Sequence, residues 1–323
     1  MTHAAYNCTS HDPDGPSQPE LFIHIGLHKT GTTYLQSSVF PELELNYLRR
    51  DDPSFQPYLK RIRHQDPIVF DADAVREGIA PLLREGKNLI SDEGLSGSPL
   101  QRYANRDAIL CKLHRVFPNA VIIVAIREQR DLIDSMYRQY IAAGGTHKLC
   151  DVLSETGSGV SYDQIDLESL CFSKYLTRIE EMFGRNQLQV LVYEDLVCDR
   201  KRFLSRIEET VGVQLPNEPN SERRNVSLPP KVIPLRRRLN RIFMSRARNN
   251  GFLPRPPFLD GMLRRLAFLV PTGSYARERQ ALEGMAERYG DDSRLISDRY
   301  DLELDVHPYK KDKYFPRQEG EAL

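Results

Sequence analysis

The 323-residue chain has no tryptophan and no excess of either charge: 45 Lys and Arg stand against 45 Asp and Glu. It also lacks any run of about 18 apolar residues, so no transmembrane segment is expected. The balanced charge argues against a general polyanion binder, and no nucleic-acid partner is expected. Cysteine is scarce and scattered, with Cys8, Cys111, Cys150, Cys171 and Cys198 forming no C-x-x-C pair. An odd, dispersed set of thiols speaks against a disulfide framework and suits a reducing compartment. Residues 1–20 are polar, with no charged start followed by an apolar stretch, so the expected location is cytoplasmic. No repeat of solenoid period is found.

What is present is ordinary for a folded domain, 40% hydrophobic and 28% charged residues. After a polar leader over residues 1–20, Leu21–Ile25 is a compact apolar run stopping at Gly26, as a buried strand does on entering a tight loop. A helix is expected from Thr32, with Tyr34, Leu35 and Val39 spaced to bury one face. Strands follow at Asn88–Ser91, Ala120–Ile126 and Gln187–Tyr193. Helices are read over Leu100–Phe117, Asp131–Ala143, Leu167–Phe183 and Lys201–Val211. Strands alternating with helices predict an α/β fold with a parallel sheet of about four to five strands and helices on both faces. Gly144–Asp166 reads as a loop-rich cover. No flexible linker separates two cores, so residues 21–323 read as one domain, a core over 21–215 and a helical C-terminal part over 216–323. Within that part, Lys231–Arg248 is expected to bury Leu235, Leu239, Ile242 and Phe243 on one face, and Ser274–Arg299 to be largely helical.

Gly26-Leu27-His28-Lys29-Thr30-Gly31-Thr32-Thr33 lies between a strand and a helix start, where free N–H groups and the helix dipole converge on an anion. The two glycines keep the spacing of a nucleoside-triphosphatase P-loop, G-x-x-x-x-G-K-[ST]. Thr32, however, occupies the lysine position and Lys29 sits inside the loop. The long strand after it ends in Arg127 rather than in a magnesium-holding aspartate, so a metal-free anion chemistry is expected.

His28-Lys29-Thr30-Gly31-Thr32-Thr33 resembles the 5′-phosphosulfate loop of the sulfotransferase family, whose donor is 3′-phosphoadenosine 5′-phosphosulfate (PAPS). The resemblance covers about Leu21–Leu215 and implies a P-loop-like fold. It implies that Lys29 contacts the bridging oxygen and 5′-phosphate, while Thr30, Gly31, Thr32 and Thr33 supply backbone and hydroxyl donors. Arg127, followed eight residues later by Ser135, resembles the family's 3′-phosphate motif: an arginine fork and a hydroxyl across from it. Apolar residues gather on one side of that helix, leaving Ser135 on the other, away from the core. Val192-Tyr193-Glu194-Asp195-Leu196 is similar to a Tyr-Glu-Asp segment of the family, which would set Tyr193 beside the adenine.

Sulfuryl transfer needs a group to take the acceptor's proton. Ser91-Asp92-Glu93 resembles the carboxylate version seen in bacterial and glycan sulfotransferases. Glu93 is the candidate base, with Asp92, His24 and His28 as alternatives. A small-molecule or glycan acceptor is implied. A kinase using ATP and a non-catalytic adenine-nucleotide-binding protein remain open as rival readings. Between Arg223 and Arg265, twelve Lys and Arg face one acid, Asp260, a patch able to meet the nucleotide, an anionic acceptor or a membrane surface. The basic, glycine-containing segment by which cytosolic mammalian members grip the 3′-phosphate has no clear counterpart here.

Overall fold

The computed structural model describes residues 20–154, 164–217, 219, 228–243, 253–254, 256–265, 267, 275, 279–280, 282, 284–302 and 304. Five strands form one sheet: β1 (Glu20–His24), β2 (Asn46–Arg49), β3 (Lys87–Ser91), β4 (Val121–Ile126) and, after two short strands β5 (Leu153–Ser154) and β6 (Ile165–Asp166), β7 (Leu188–Val192). Their order is β2-β3-β1-β4-β7, with every pairing parallel. The first strand is therefore central, flanked by β3 on one side and β4 on the other. Crossovers run out to one edge and then reverse, so the loops after β1 and β4 part at the carboxyl edge, where open α/β sheets hold ligands.

The central strands are apolar throughout because both faces are covered. One face of the sheet (Ile23, Ile90, Ile122, Val124, Val190) packs against helices α2 (Gln56–His64), α3 (Ala72–Ile79), α4 (Arg106–Val116), α5 (Gln129–Ala142) and, after a short α6 (Leu149–Val152), α7 (Phe172–Phe183). The other (Phe22, Leu89, Ile123, Ala125, Leu191) meets Leu35, Val39 and Phe40. It also meets Phe203, Leu204, Ile207 and Val211 of α9 (Arg200–Val211), a helix that follows the one-turn-and-a-half α8 (Tyr193–Cys198). Each such fully buried aliphatic side chain contributes roughly 1.5–3 kcal/mol.

The four strands read from the sequence are present, β1 beginning one residue earlier, at Glu20. The edge strand β2 and helices α2 and α3 were outside that reading. In β2 the sequence Asn-Tyr-Leu-Arg shows no apolar run, and its pairing is polar: Asn46 Nδ2 donates to Asn88 Oδ1 at 2.7 Å and to the Leu82 carbonyl at 2.9 Å. Helix α3 is started by Asp71, whose carboxylate accepts the Ala74 N–H at 3.0 Å. The helix read from Leu100 begins only at Arg106, and that read from Leu167 only at Phe172. Gly144–Asp166 contains α6 and the β5–β6 pair rather than loop alone; residues 155–163 lie outside the described residues.

In the C-terminal part, α10 (Ile233–Leu239), α11 (Leu259–Arg265) and α12 (Met285–Tyr300) are described. The helix read over Lys231–Arg248 stops at Leu239, and its residues 244–248 lie outside the described residues. Its buried face differs from expectation in part, for Leu239 and Phe243 do pack against the core. Ile233, Arg236 and Asn240 are buried, whereas Leu235 and Ile242 are 36% and 46% exposed. Polar satisfaction explains the rotation. Arg236 pairs with Asp260 at 2.9 Å and bonds Asn240, while Asn240 Nδ2 donates to the carbonyls of Ile141 and Gly145 at 2.8 and 2.7 Å. Of the helix read over Ser274–Arg299, α12 supplies Met285 onward, and residues 274, 276–278, 281 and 283 lie outside the described residues. Its Asp292 accepts from the N–H groups of Phe172 (2.9 Å) and Ser173 (3.1 Å), from the Ser173 hydroxyl and from Gln129 Nε2 (3.1 Å). A single buried carboxylate thus caps α7 and holds the first residue of α5.

Candidate functional site

The loop after β1 is built around two special backbone positions. Gly31 has φ +89°, and a methyl group there would sit 2.6 Å from Leu196 Cδ2 and 3.6 Å from the Tyr193 ring. Only glycine enters that conformation without strain. Lys29 adopts φ 70° without being glycine, a strain that functional loops hold when their surroundings enforce it. Gly26 is required for a different reason: a Cβ there would lie 2.5 Å from His24 Nε2. The histidine ring fills the space beneath the loop.

Thr30 is fully buried and its hydroxyl donates to the Leu27 carbonyl at 2.6 Å. Its side chain therefore closes the turn, which corrects the expectation of a hydroxyl offered to a ligand; only its backbone N–H can serve. Thr32 is buried, its Oγ1 without a partner among the described residues, and Thr33 is exposed. Both start α1 (Thr32–Tyr34), which runs into a wider turn over Leu35–Val39.

From β4, Arg127 turns back to this loop, its Nη1 donating to the Lys29 carbonyl at 3.1 Å. Its guanidinium lies 4.4 Å from the centre of the Tyr193 ring and 3.7 Å from the Asp131 carboxylate, and its buried Nε has no partner among the described residues. Lys29, Gly31, Arg127 and Tyr193, drawn from the tips of three strands, are therefore brought together. Burial, then the Arg127 and Arg138 guanidiniums, hold the Lys29 ammonium below its usual pKa, with Glu93 pulling the other way. A site where burial and two neighbouring guanidiniums both disfavour the ammonium charge is suited to an anion.

Ser135 is buried, contrary to the expectation that it stands away from the core. Helix α5 is covered nearly all round, with Asp134, Ser135 and Arg138 buried together with its apolar side. Arg138, one turn beyond Ser135, pairs with Asp134 at 3.0 Å, and Asp134 also accepts from Tyr275 at 2.5 Å and pairs with Arg279 at 3.4 Å. Arg138 was missed by sequence reasoning; its i+3 spacing from Ser135 was the available signal.

At the tip of β3, the two neighbouring carboxylates part company. Asp92 is buried, accepts the Gly94 N–H at 2.8 Å and pairs with Arg63 at 3.0 Å, which ties it to the turn. Glu93 keeps 31% of its side chain exposed, with Arg50 at 3.7 Å, and acts electrostatically on both Lys29 and His28. His24 is sealed in the sheet. Gln36 Nε2 donates to the Ser91 carbonyl and hydroxyl, both at 3.1 Å, and the hydroxyl bonds His24 Nδ1 at 2.8 Å. Burial pushes its pKa down to about 3, so it stays neutral. His28 is lowered by burial, an effect Glu93 and Asp92 oppose. Among the described residues no group of three or more His, Cys, Asp or Glu could hold a metal ion.

Glu194, next to Tyr193, was also missed as a titrating group. Its Oε1 accepts the Glu128 N–H at 3.1 Å, tying the β7–α8 junction to the β4–α5 turn, while Oε2 is buried without a partner among the described residues. Burial raises its carboxyl to about 7 despite the Arg127 charge. Of the basic stretch 223–265, Arg236 proves to be a core residue, and Arg237 donates to the Tyr137 hydroxyl at 2.8 Å. Arg223 and Arg224 lie outside the described residues.

No helix among the described residues is long and apolar enough to cross a membrane. No family model and no curated protein matches the chain. Solved structures similar to it include a sulfotransferase from Alicyclobacillus acidocaldarius (TM-score 0.46, 15% identity, 65% of this chain and 87% of that one). Mouse sulfotransferase SULT7A1 complexed with PAP is similar at TM-score 0.40 and 12% identity, over 88% of this chain and 89% of that one. The sulfotransferase domain of the Synechococcus PCC 7002 olefin synthase is similar at TM-score 0.36 and 18% identity, over 82% and 99%. Likeness at this level leaves function to be read from the chain's own residues.

Proposed function

We propose that this protein transfers a sulfuryl group from PAPS to a hydroxyl or amine of an acceptor, a carbohydrate or small metabolite. The observation that supports this most is the contact between the two anion grips, Arg127 Nη1 on the Lys29 carbonyl. A single nucleotide bearing phosphates at both ends of its ribose suits two grips that close together, and it relieves the cation crowding around Lys29.

In this reading Lys29 and the N–H groups of Thr30, Gly31, Thr32 and Thr33 hold the 5′ end, and Lys29 balances the charge that grows on the leaving phosphate. Arg127 and Ser135 hold the 3′-phosphate, and Tyr193 borders the base. Glu93 takes the proton from the attacking acceptor; it is half-open, whereas Asp92 is tied to Arg63 and the Gly94 N–H.

Calorimetry with 3′-phosphoadenosine 5′-phosphate, AMP and ATP with magnesium tests the donor. The first should bind at least about tenfold more tightly than the others, and Arg127→Gln should abolish that difference. Glu93→Gln should keep the affinity while lowering transfer from radiolabelled PAPS by roughly 10²–10⁴-fold. Indifference to the 3′-phosphate, or a preference for ATP with magnesium, overturns the donor assignment. Binding without transfer to a panel of sugars, phenols, amines and lipids would make the protein a nucleotide sensor instead.

A further inference from the structure

The rotation of α10 leaves an unusual surface. Because Arg236 and Asn240 take the buried side, two of the four apolar side chains that the periodicity assigns to the core point outward. Leu235 and Ile242 are joined there by Leu253 (51% exposed), Phe258 (68%) and Met262 (42%). Two contacts tie together the segments that carry them. The Leu253 N–H donates to the Ile242 carbonyl at 3.0 Å, and the Arg236–Asp260 pair joins α10 to α11, which carries Met262. Exposed apolar side chains gathered in this way mark an interaction surface.

The charge around them says what kind. Arg238 on α10, Arg241 in the turn that follows it and Arg265 on α11 are exposed. The only acid between Arg223 and Arg265 is Asp260, which is already engaged by Arg236. Arginines around large apolar side chains match a surface that is anionic outside and hydrocarbon just beneath. An acidic glycan would use the arginines and leave Phe258 and Met262 in water. We infer that the α10–α11 face docks on an anionic lipid bilayer, with Ile242, Leu253, Phe258 and Met262 entering the interface and Arg238, Arg241 and Arg265 meeting headgroups.

The inference stands apart from the catalytic reading and is tested without turnover, by sedimentation of the full chain with sucrose-loaded vesicles. Vesicles of phosphatidylcholine with phosphatidylglycerol should capture it, and vesicles of phosphatidylcholine alone should capture much less. Raised salt should weaken but not abolish capture. Arg238→Gln, Arg241→Gln and Arg265→Gln together should lower partitioning on the order of 100-fold, at about fivefold per cation. Phe258→Ser with Met262→Ser should also release it, with the circular dichroism spectrum unchanged. Equal capture by neutral vesicles, no capture at all, or a concentration-dependent dimer through this face that Phe258→Ser dissolves would each overturn it. Binding to heparin that survives Phe258→Ser with Met262→Ser, without vesicle capture, would also overturn it and make this an acidic-polymer site.

Discussion

Replacing Gly31 with alanine puts the anion loop under a defined load. At φ +89° an alanine pays about 1–2 kcal/mol for left-handed backbone. Its methyl would also lie 2.6 Å from Leu196 Cδ2, about 1 Å inside the 3.5–4.0 Å optimum for carbon pairs. Overpacking of that size costs about 1–3 kcal/mol. The lower end applies if the leucine methyl swings away, which brings the whole to about 2–5 kcal/mol. Leu196→Ala removes the obstacle without touching the backbone. The double variant should therefore be more stable than the sum of the two single changes by about 1–3 kcal/mol. Urea unfolding of the four proteins measures this coupling, and calorimetric titration with 3′-phosphoadenosine 5′-phosphate follows the loop itself. Binding should stay weakened more than about tenfold in Gly31→Ala with Leu196→Ala, since the backbone strain persists. Additivity within about 0.5 kcal/mol, or a Gly31→Ala protein as stable as the parent, would refute the reasoning.

Two further outcomes follow from buried carboxylates. The Glu194 carboxyl, raised from an ordinary 4.5 to about 7, keeps a proton in the folded protein that the unfolded chain releases, so its contribution to stability falls as pH rises from about 4.5 to about 7. Glu194→Gln should remove that slope, leaving the variant better placed against the parent at pH 8 than at pH 5; a constant difference across unfolding curves at the two pH values would rule the coupling out. Asp292→Ala strips acceptors from Phe172, Ser173 and Gln129 and should lower the unfolding free energy by about 3 kcal/mol or more, measured by urea denaturation; a loss under about 0.5 kcal/mol would show that α12 is not fastened there.

The sheet was legible because β1, β3, β4 and β7 are apolar enough to be buried on both faces, and the loop after β1 because its glycines, lysine and threonines sit at a strand-to-helix junction. Strand β2 was hidden, since its place is fixed by Asn46 on Asn88 rather than by apolar periodicity. The orientation of α10 was misread for a related reason: period alone ranks Leu235 and Ile242 above Arg236 and Asn240, while partners supplied by Asp260, Ile141 and Gly145 reverse the order. In the sequence only strand alternation tells Glu93, the candidate base, from its alternative Asp92. Arg63, arriving from α2, separates them by claiming one.

The carboxylate of Asp292 reaches Gln129 across 163 positions of chain. During synthesis the sheet strands emerge long before that residue does, so the helix bearing Ser135 and Arg138 must wait at its first turn for a clasp still to be translated. A nascent chain would have its anion loop before it has a firm seat for the proposed opposite grip, which delays completion of the proposed nucleotide site until α12 has emerged.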